Sequence, residues 1–574
     1  MSLLTHLSDI VGQAFSDLGL PTELGAVVPS QRRELAQFQS NGAMAGAKLE
    51  ARPPREIAQD VIDRIATHEE FKTVDIAGPG FINLTLTDGA LASWAAATAA
   101  DDHLGFAVAA EPSTVVVDYA GPNVAKAMHV GHLRATIIGD SLARLFDFAG
   151  HNVIRDPHFG DWGFQMGLLI AAVEDDGVDP TSITLDDLQR IYPPASERAR
   201  QDDAFADRAR EATVRLQQGD PGHRAIWKQM KSASEVSQRA NFAALGVNFD
   251  LWYGESDVHD RIAPMIETMR ESGVAEESDG ALVVRVAEED DNREFPPLIL
   301  QTSAGGFLYS TTDLATIDMR NQELGADLCL YVVDRRQTDH FVQVFRAAYR
   351  SGVAPQSMVL EHIGFGTMNG PDGKPFKTRE GGVVRLADVI KLVTDAARDR
   401  LDEAHLAEEY PDEERDRIAA LVGVAALKFG DLINNRASDY ILDLDRFSSF
   451  EGKTGPYLQY AAVRIKSILR KATVLGLAPG DIIEPGADSE RELVLELLNF
   501  PEVVERAIAL RAPNHIAEYA HTVAARYNRF YDECHILSEE DAGRQGSWLA
   551  VSSWALATLS ILLDHLGIEI PDRM

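Results

Sequence analysis

The sequence predicts a multidomain chain: a doubly wound α/β domain of Rossmann type, with a small α+β unit before it and an all-helical unit after it. Three observations carry this expectation. Apolar strands alternate with helices from Thr114 onward, two short strands flank the turn Gly78-Pro79-Gly80, and strand signals stop after about Asp443. A length of 574 residues exceeds one ordinary domain and argues for roughly three to four units. The expected division is 1–105, 106–445 and 446–574.

In order along the chain, the first unit shows a helix-patterned start, a strand-like stretch before Asn41 and a helix over about 54–66. Alternating apolar residues in VDIA and FINLTL then flank the glycine-proline-glycine turn. The chain turns polar near Asp101, which reads as a linker. TVVVDY, from Thr114 to Tyr119, is nearly continuous apolar, as a strand covered on both faces should be, and a helix over 132–148 follows, ended by Gly150. An acidic stretch over about 175–246 reads as a helical insertion. Strand signals return at LYST, CLYVVD and HIGFGTM. Thereafter IKSILRKA, LVLELLNF, VVERAIAL and the run 548–566 show helical spacing.

Composition bounds the function classes. Hydrophobic residues make up 45% and charged residues 25%, and no uninterrupted apolar run reaches the ~20 residues that span a bilayer. The start MSLLTHLSDI lacks a basic region and a cleavage site, so no signal peptide and no membrane partner are expected. Cys329 and Cys534 stand far apart, which argues against a disulfide framework and a cysteine-rich zinc site and favours the cytoplasm. The net charge of -35, from 89 acidic against 54 basic residues, does not exclude RNA, because RNA needs a local positive stripe. Acidic residues gather in 288–291 and 408–417, and basic ones at Arg464, Lys466, Arg470 and Lys471.

The segment VVVDYAGPNVAKAMHVGHLRATIIGD combines a buried strand, a turn and a helix beginning near His129. A helix start offers unpaired N–H groups and the positive end of the dipole, which favours phosphate. His129 and His132 share a helical face, and Gly131 between them lets a flat ring approach the backbone. Alone, such a pair is equally compatible with a metal site or with ordinary surface histidines. Metalloproteases, however, need histidines four apart with a glutamate between them. Position after a buried strand raises the phosphate reading, since open α/β sheets bind ligands there.

HVGH resembles the HIGH signature of class I aminoacyl-tRNA synthetases, and DYAGPNVAKAMHVGHLR resembles the arginyl family. Lys374-Pro375-Phe376-Lys377-Thr378-Arg379, inside DGKPFKTREGG, resembles that family's relaxed KMSKS loop, with Phe376 and Thr378 flanking Lys377. The resemblance implies ATP, with Mg2+, bound by Lys126, His129, Gly131, His132, Lys374 and Lys377, of which the two histidines and the last two lysines are catalytic. It implies arginine contacts by Asp118, Asn123 and His132, by Tyr309 and Asp313 in GFLYSTTDLA, and by Gln337 in YVVDRRQTDHF. Carboxylates suit a planar guanidinium because bidentate pairs are the strong ones. An acid just after a strand also serves as an N-cap, an alternative open for Asp313. Ala120 and Gly121 stand where many relatives carry serine, so a hydroxyl contact there is absent or replaced by water.

LAQFQSNGAMAGAK and VDIAGPGFINLTL resemble the family's extra N-terminal domain, which meets the outer corner of tRNA. Arg32, Arg33, Gln39 and Asn41 are the implied contacts there, with Phe38 as a stacking ring. SDYILDLDRFSSFEGKTGPYLQYAAVRIKSI and YAHTVAARYNRFYDECHIL resemble the anticodon-binding domain. Tyr527, Phe530 and Tyr531 form a stripe of which only some rings are expected to be exposed. Arg464, Lys466, Arg526 and Arg529 are the phosphate candidates. The likeness runs from about residue 20 to IPDRM and is weakest in the acidic insertion. It implies an arginine–tRNA ligase acting on L-arginine, ATP and tRNA(Arg), without bound zinc, and a monomer. The cysteine enzyme needs zinc ligands that are missing here. A decayed RNA-binding paralogue would not keep HVGH and both lysines, and a simple nucleotidyltransferase would not explain the flanking domains.

Overall fold

A computed structural model describes every residue except 34, 304, 371–372, 375–383 and 407–409, and the side chain of Leu444. The chain forms two compact units, one of residues 1–109, 450–565 and 569–574, the other of 110–449 and 566–568.

In the first unit, the strands Val27–Pro29, Phe38–Ser40, Phe81–Leu86 and Phe71–Ala77 form an antiparallel sheet in that spatial order. Helix Leu3–Ser16 is capped by the Ser2 hydroxyl, which accepts from Thr5 N at 3.1 Å. Helix Pro54–Ile65 starts on proline, whose missing N–H is no loss in a first turn. The helices Gly455–Val474, Asp488–Leu497, Phe500–Ala509, Asn514–Glu533 and Ala542–His565 belong to the same unit. Sequence-distant ends meet through the ion pair of Arg33 with Glu496 at 3.0 Å and the hydrogen bond of Ser2 to Glu502 at 2.5 Å. Ala542–His565 is long and apolar enough to cross a bilayer, but 67% of its apolar window is buried. Its Ser552 and Thr558 hydroxyls donate to carbonyls one turn back, at 2.8 and 3.0 Å. It is a core helix.

In the second unit, a parallel sheet runs Val359–His362, Leu328–Val332, Thr114–Tyr119, Asn152–Asp156. Helices Val130–Phe148, Phe164–Asp176, Tyr309–Gln322 and Thr338–Ser351 accompany it. The expected insertion is helical, as Leu185–Gln201, Asp203–Gln217 and Pro221–Ala244. The first of these opens on a Thr184/Asp187 capping box and keeps Pro193 and Pro194 in its interior. The expected strand at LYST is overturned: Tyr309 begins a helix, and Ser310 and Thr311 donate to Ile299 O and Leu300 O at 2.8 and 2.6 Å. Those bonds dock the helix start on the strand Leu298–Gln301, so hydroxyl–carbonyl pairing outweighs local strand propensity.

Candidate active site

From Thr114–Tyr119 the chain moves to Asn152–Asp156 on one side and returns to Leu328–Val332 on the other. The carboxyl ends of Thr114–Tyr119 and Leu328–Val332 therefore form the topological switch point, where open α/β sheets hold ligands. The loop leaving Tyr119 is tightly wound. Ala120 and Ala125 adopt φ +77° and +66°, a left-handed conformation that costs a non-glycine residue about 1 kcal/mol or more.

His129 caps the helix Val130–Phe148, its Nδ1 accepting from Gly131 N at 3.0 Å. His132 Nδ1 accepts in turn from His129 N at 3.0 Å, and the two ring centroids lie 4.0 Å apart. With both Nδ1 atoms accepting, each neutral ring carries its proton on Nε2. Burial, reinforced by its neighbour His129, lowers the His132 pKa to about 3, and burial together with Lys126 lowers that of His129. At neutral pH the pair is a set of two uncharged N–H donors at a helix start. A Cβ on Gly131 would stand 2.7 Å from the His129 ring, so only glycine fits beneath it. Lys126 lies 4.7 Å from the centroid of Tyr192.

Just beyond the second motif, His129 pairs with Arg385 as an antiparallel bridge. Val130 N donates to Val384 O at 3.1 Å and Leu386 N to Met128 O at 2.9 Å. The segment 384–386 that follows the lysine motif is thereby tied to the histidine turn. Lys374 is exposed, and its carbonyl accepts from Gly370 N at 2.7 Å. Lys377 lies outside the described residues.

Three loops form a rim beside this turn. Asn123 bridges Gly160, and Phe159 bridges Gly254, with Glu255 N donating to Phe159 O at 3.0 Å. Gly160 is required here, since a Cβ would sit 2.5 Å from Asn123 Oδ1. The rim delivers Glu255 to a cavity of about 220 Å3 lined also by Trp162, His259, Phe307, Tyr309 and Thr312. Burial raises the Glu255 pKa to about 7, and the charges of Asp161 and Asp313 add to the rise. Asp313, one turn after Tyr309, is no N-cap, because Leu308 holds that position. Its Oδ2 accepts from His340 Nε2 at 2.6 Å, and Tyr309 is 62% exposed. Gln337 is exposed in the short turn Arg335–Gln337.

Asp118, expected to contact the amino acid, is buried at the strand end, and its Oδ2 accepts from Arg320 Nη2 at 2.7 Å, as does Asp156 Oδ2 at the same distance. His158 completes the cluster, 3.8 Å from Asp156 and 3.2 Å from Thr316 Oγ1. Burial would lower the His158 pKa, but Asp156 and Asp118 raise it to about 9. Burial would raise that of Asp156, but His158 and Arg320 hold it to about 2. Burial raises the Asp118 pKa, while Arg320 and His158 pull against that rise.

Among the expected RNA contacts, Phe38 is also corrected: it is 4% exposed, packed on the inner face of its sheet, and cannot stack on a base. Arg32, Gln39 and Asn41 line one cavity of about 970 Å3 with Phe81, Asn83 and Arg506. Arg33 is tied to Glu496. Arg526 pairs with Glu492, Arg529 with Glu533 at 3.0 Å, and Lys466 with Asp572 at 3.7 Å. Arg464 covers Tyr531 at 4.5 Å, while Tyr527 and Phe530 are fully buried. Exposed ion pairs of this kind are worth about 0–1 kcal/mol.

Glu255, His158, Arg320 and His340 carry the site's electrostatics without having been singled out in the sequence. Glu255 closes the aromatic run FDLWYGE and His340 lies inside YVVDRRQTDHF, but neither stretch has a spacing that reveals its partner.

Residues 96–444 match the family described as tRNA synthetases class I (R), catalytic domain. Residues 458–574 match the DALR anticodon binding domain, and 5–86 the arginyl tRNA synthetase N terminal domain. The chain is 47% identical over 588 aligned positions to an arginine–tRNA ligase of Maricaulis maris, with both chains covered in full. It is 43% identical over 587 to that of Alkaliphilus oremlandii, again in full. The Thermus thermophilus arginyl-tRNA synthetase superposes with a TM-score of 0.83 at 25% identity, each chain covered in full. The Plasmodium falciparum arginyl-tRNA synthetase, at 23% identity, shares the fold with a TM-score of 0.85 over 100% of this chain and 99% of that one.

Proposed function

The chain belongs to the class I arginyl-tRNA synthetases, and from that premise we propose that it activates L-arginine with ATP and passes the arginyl group to tRNA(Arg). The carrying observation is the capped histidine turn at the switch point, bonded to residues 384–386 that follow the lysine motif. In the first step an arginine carboxylate oxygen attacks the α-phosphorus of ATP. A phosphorus–oxygen bond forms, the bond to the bridging oxygen breaks, and its electron pair leaves with pyrophosphate. His129 and His132 donate Nε2–H to the phosphates, aided by the helix N-terminus, while Lys126, Lys374 and Lys377 offset the growing negative charge. Among the described residues no three His, Cys, Asp or Glu side chains gather for a metal. Mg2+ would enter with the ATP phosphates and offset their charge.

Arginine lies with its guanidinium between Glu255 and Asp313, beside Tyr309, with Asn123 and Gln337 toward its α-amino end. Discrimination against uncharged amino acids then rests on these two carboxylates and needs no editing site. In the second step a hydroxyl of the terminal adenosine, the 2'-hydroxyl as in class I, attacks the arginyl carbonyl and AMP departs. Division into 1–105, 106–445 and 446–574 separates outer-corner, catalytic and anticodon roles. The cavity around Arg32, Gln39 and Asn41 is wide enough to take an extruded base. Family membership supports a cytoplasmic monomer.

Arginine-dependent exchange of pyrophosphate into ATP is expected with tRNA(Arg) present and absent without it. No exchange in the presence of tRNA would overturn the assignment. Gly131→Ala should push the His129 ring off its cap and raise the KM for ATP about tenfold, with the KM for arginine unchanged. An unchanged ATP KM would remove His129 from the phosphate site.

A further inference from the structure

We infer that His340 is a positioning residue for arginine recognition, setting the plane of Asp313 and the stance of Tyr309 before the amino acid arrives. The inference rests on the reading of Asp313 as a guanidinium partner. Helix Tyr309–Gln322 places Tyr309 and Asp313 on one face, four residues apart. His340 stands two residues into helix Thr338–Ser351 and touches both. Its Nε2 donates to Asp313 Oδ2 at 2.6 Å, and its ring centroid lies 4.8 Å from that of Tyr309, tilted by 52°. The imidazole side chain is 15% exposed against 27% for the Asp313 side chain, so the buried partner holds the more accessible one. Among the described residues, no other hydrogen bond reaches the Asp313 carboxylate, and no other ring meets Tyr309.

A guanidinium is a rigid planar fork, and its strong pairing with a carboxylate depends on the plane of that carboxylate. An aspartate with both oxygens in water rotates about its side-chain bonds and must be ordered when the ligand binds. A donor fixed on Oδ2 sets the plane in advance and leaves Oδ1 for the substrate. Contact with the Tyr309 ring gives His340 the same hold on an otherwise exposed side chain.

The test compares steady-state aminoacylation by wild type, His340→Ala, His340→Gln and Asp313→Asn in the full-length enzyme with tRNA(Arg). Gln places an amide N–H where Nε2–H stood and can keep the bond to Asp313. His340→Ala is expected to raise the KM for arginine about tenfold, with kcat and the KM for ATP within about twofold of wild type. His340→Gln should recover most of that loss. An unchanged arginine KM in His340→Ala overturns the inference, as does equal impairment of both His340 variants with the ATP KM also altered. Asp313→Asn separates the two levels. If it leaves the arginine KM unchanged, the reading of Asp313 fails. If it raises the KM while His340→Ala does not, only the role of His340 fails.

Discussion

Arg320→Met should destabilise the catalytic unit by about 3–5 kcal/mol, because it leaves Asp118 and Asp156 buried with one cation, His158, beside Asp156. Methionine fills much of the same volume, so the loss is electrostatic rather than a cavity. The guanidinium spans the carboxyl ends of two adjacent strands, so the damage should concentrate there. Hydrogen exchange in Thr114–Tyr119 and Asn152–Asp156 is expected to accelerate, with the helices of the other unit unaffected. Adding Asp118→Asn and Asp156→Asn should restore part of the protection by removing the unpaired anions. Wild-type exchange in Arg320→Met would show that the cluster does not hold the strand ends.

Glu255→Gln should lower kcat/KM for arginine by about 2–5 kcal/mol, at least ~30-fold, since one partner of a buried charge pair is removed and the guanidinium is left half-compensated. The wild-type pH profile carries a signature of the same group. Burial raises the Glu255 pKa to about 7, so in the free enzyme the carboxyl is largely protonated below that pH and ionised above it. Arginine needs the anion. The sign follows: kcat/KM for arginine rises with pH through about 7, approaching a tenfold loss per unit on the acid side. Glu255→Gln should flatten that limb. His132, held to about 3, stays neutral over the same range and contributes no step. A sloping profile that persists in Glu255→Gln would assign the titration to another group.

Local features were legible because they depend on neighbours along the chain. The buried strand Thr114–Tyr119, the histidine turn and the helices of the insertion each follow from hydrophobic period, capping residues and glycine placement within a few residues. LYST misled because its strand-like composition was overridden by the strand Leu298–Gln301, whose carbonyls take the Ser310 and Thr311 hydroxyls. Glu255 stayed hidden because its approach to the cavity depends on the pairing of three loops from different parts of the unit.

By itself, the sequence determined the succession of fold types and the histidine-capped helix start, both products of short-range periodicity and of hydrogen bonds within one or two turns. Only the tertiary structure decided what each charge faces. Asp118 lies 202 residues from the Arg320 that neutralises it, and Asp313 lies 27 from the His340 that orients it. Phe38 was drawn into its own core rather than left for a base. The physical reason is that desolvation and Coulomb energy depend on distance in space, which sequence spacing encodes only within a single element.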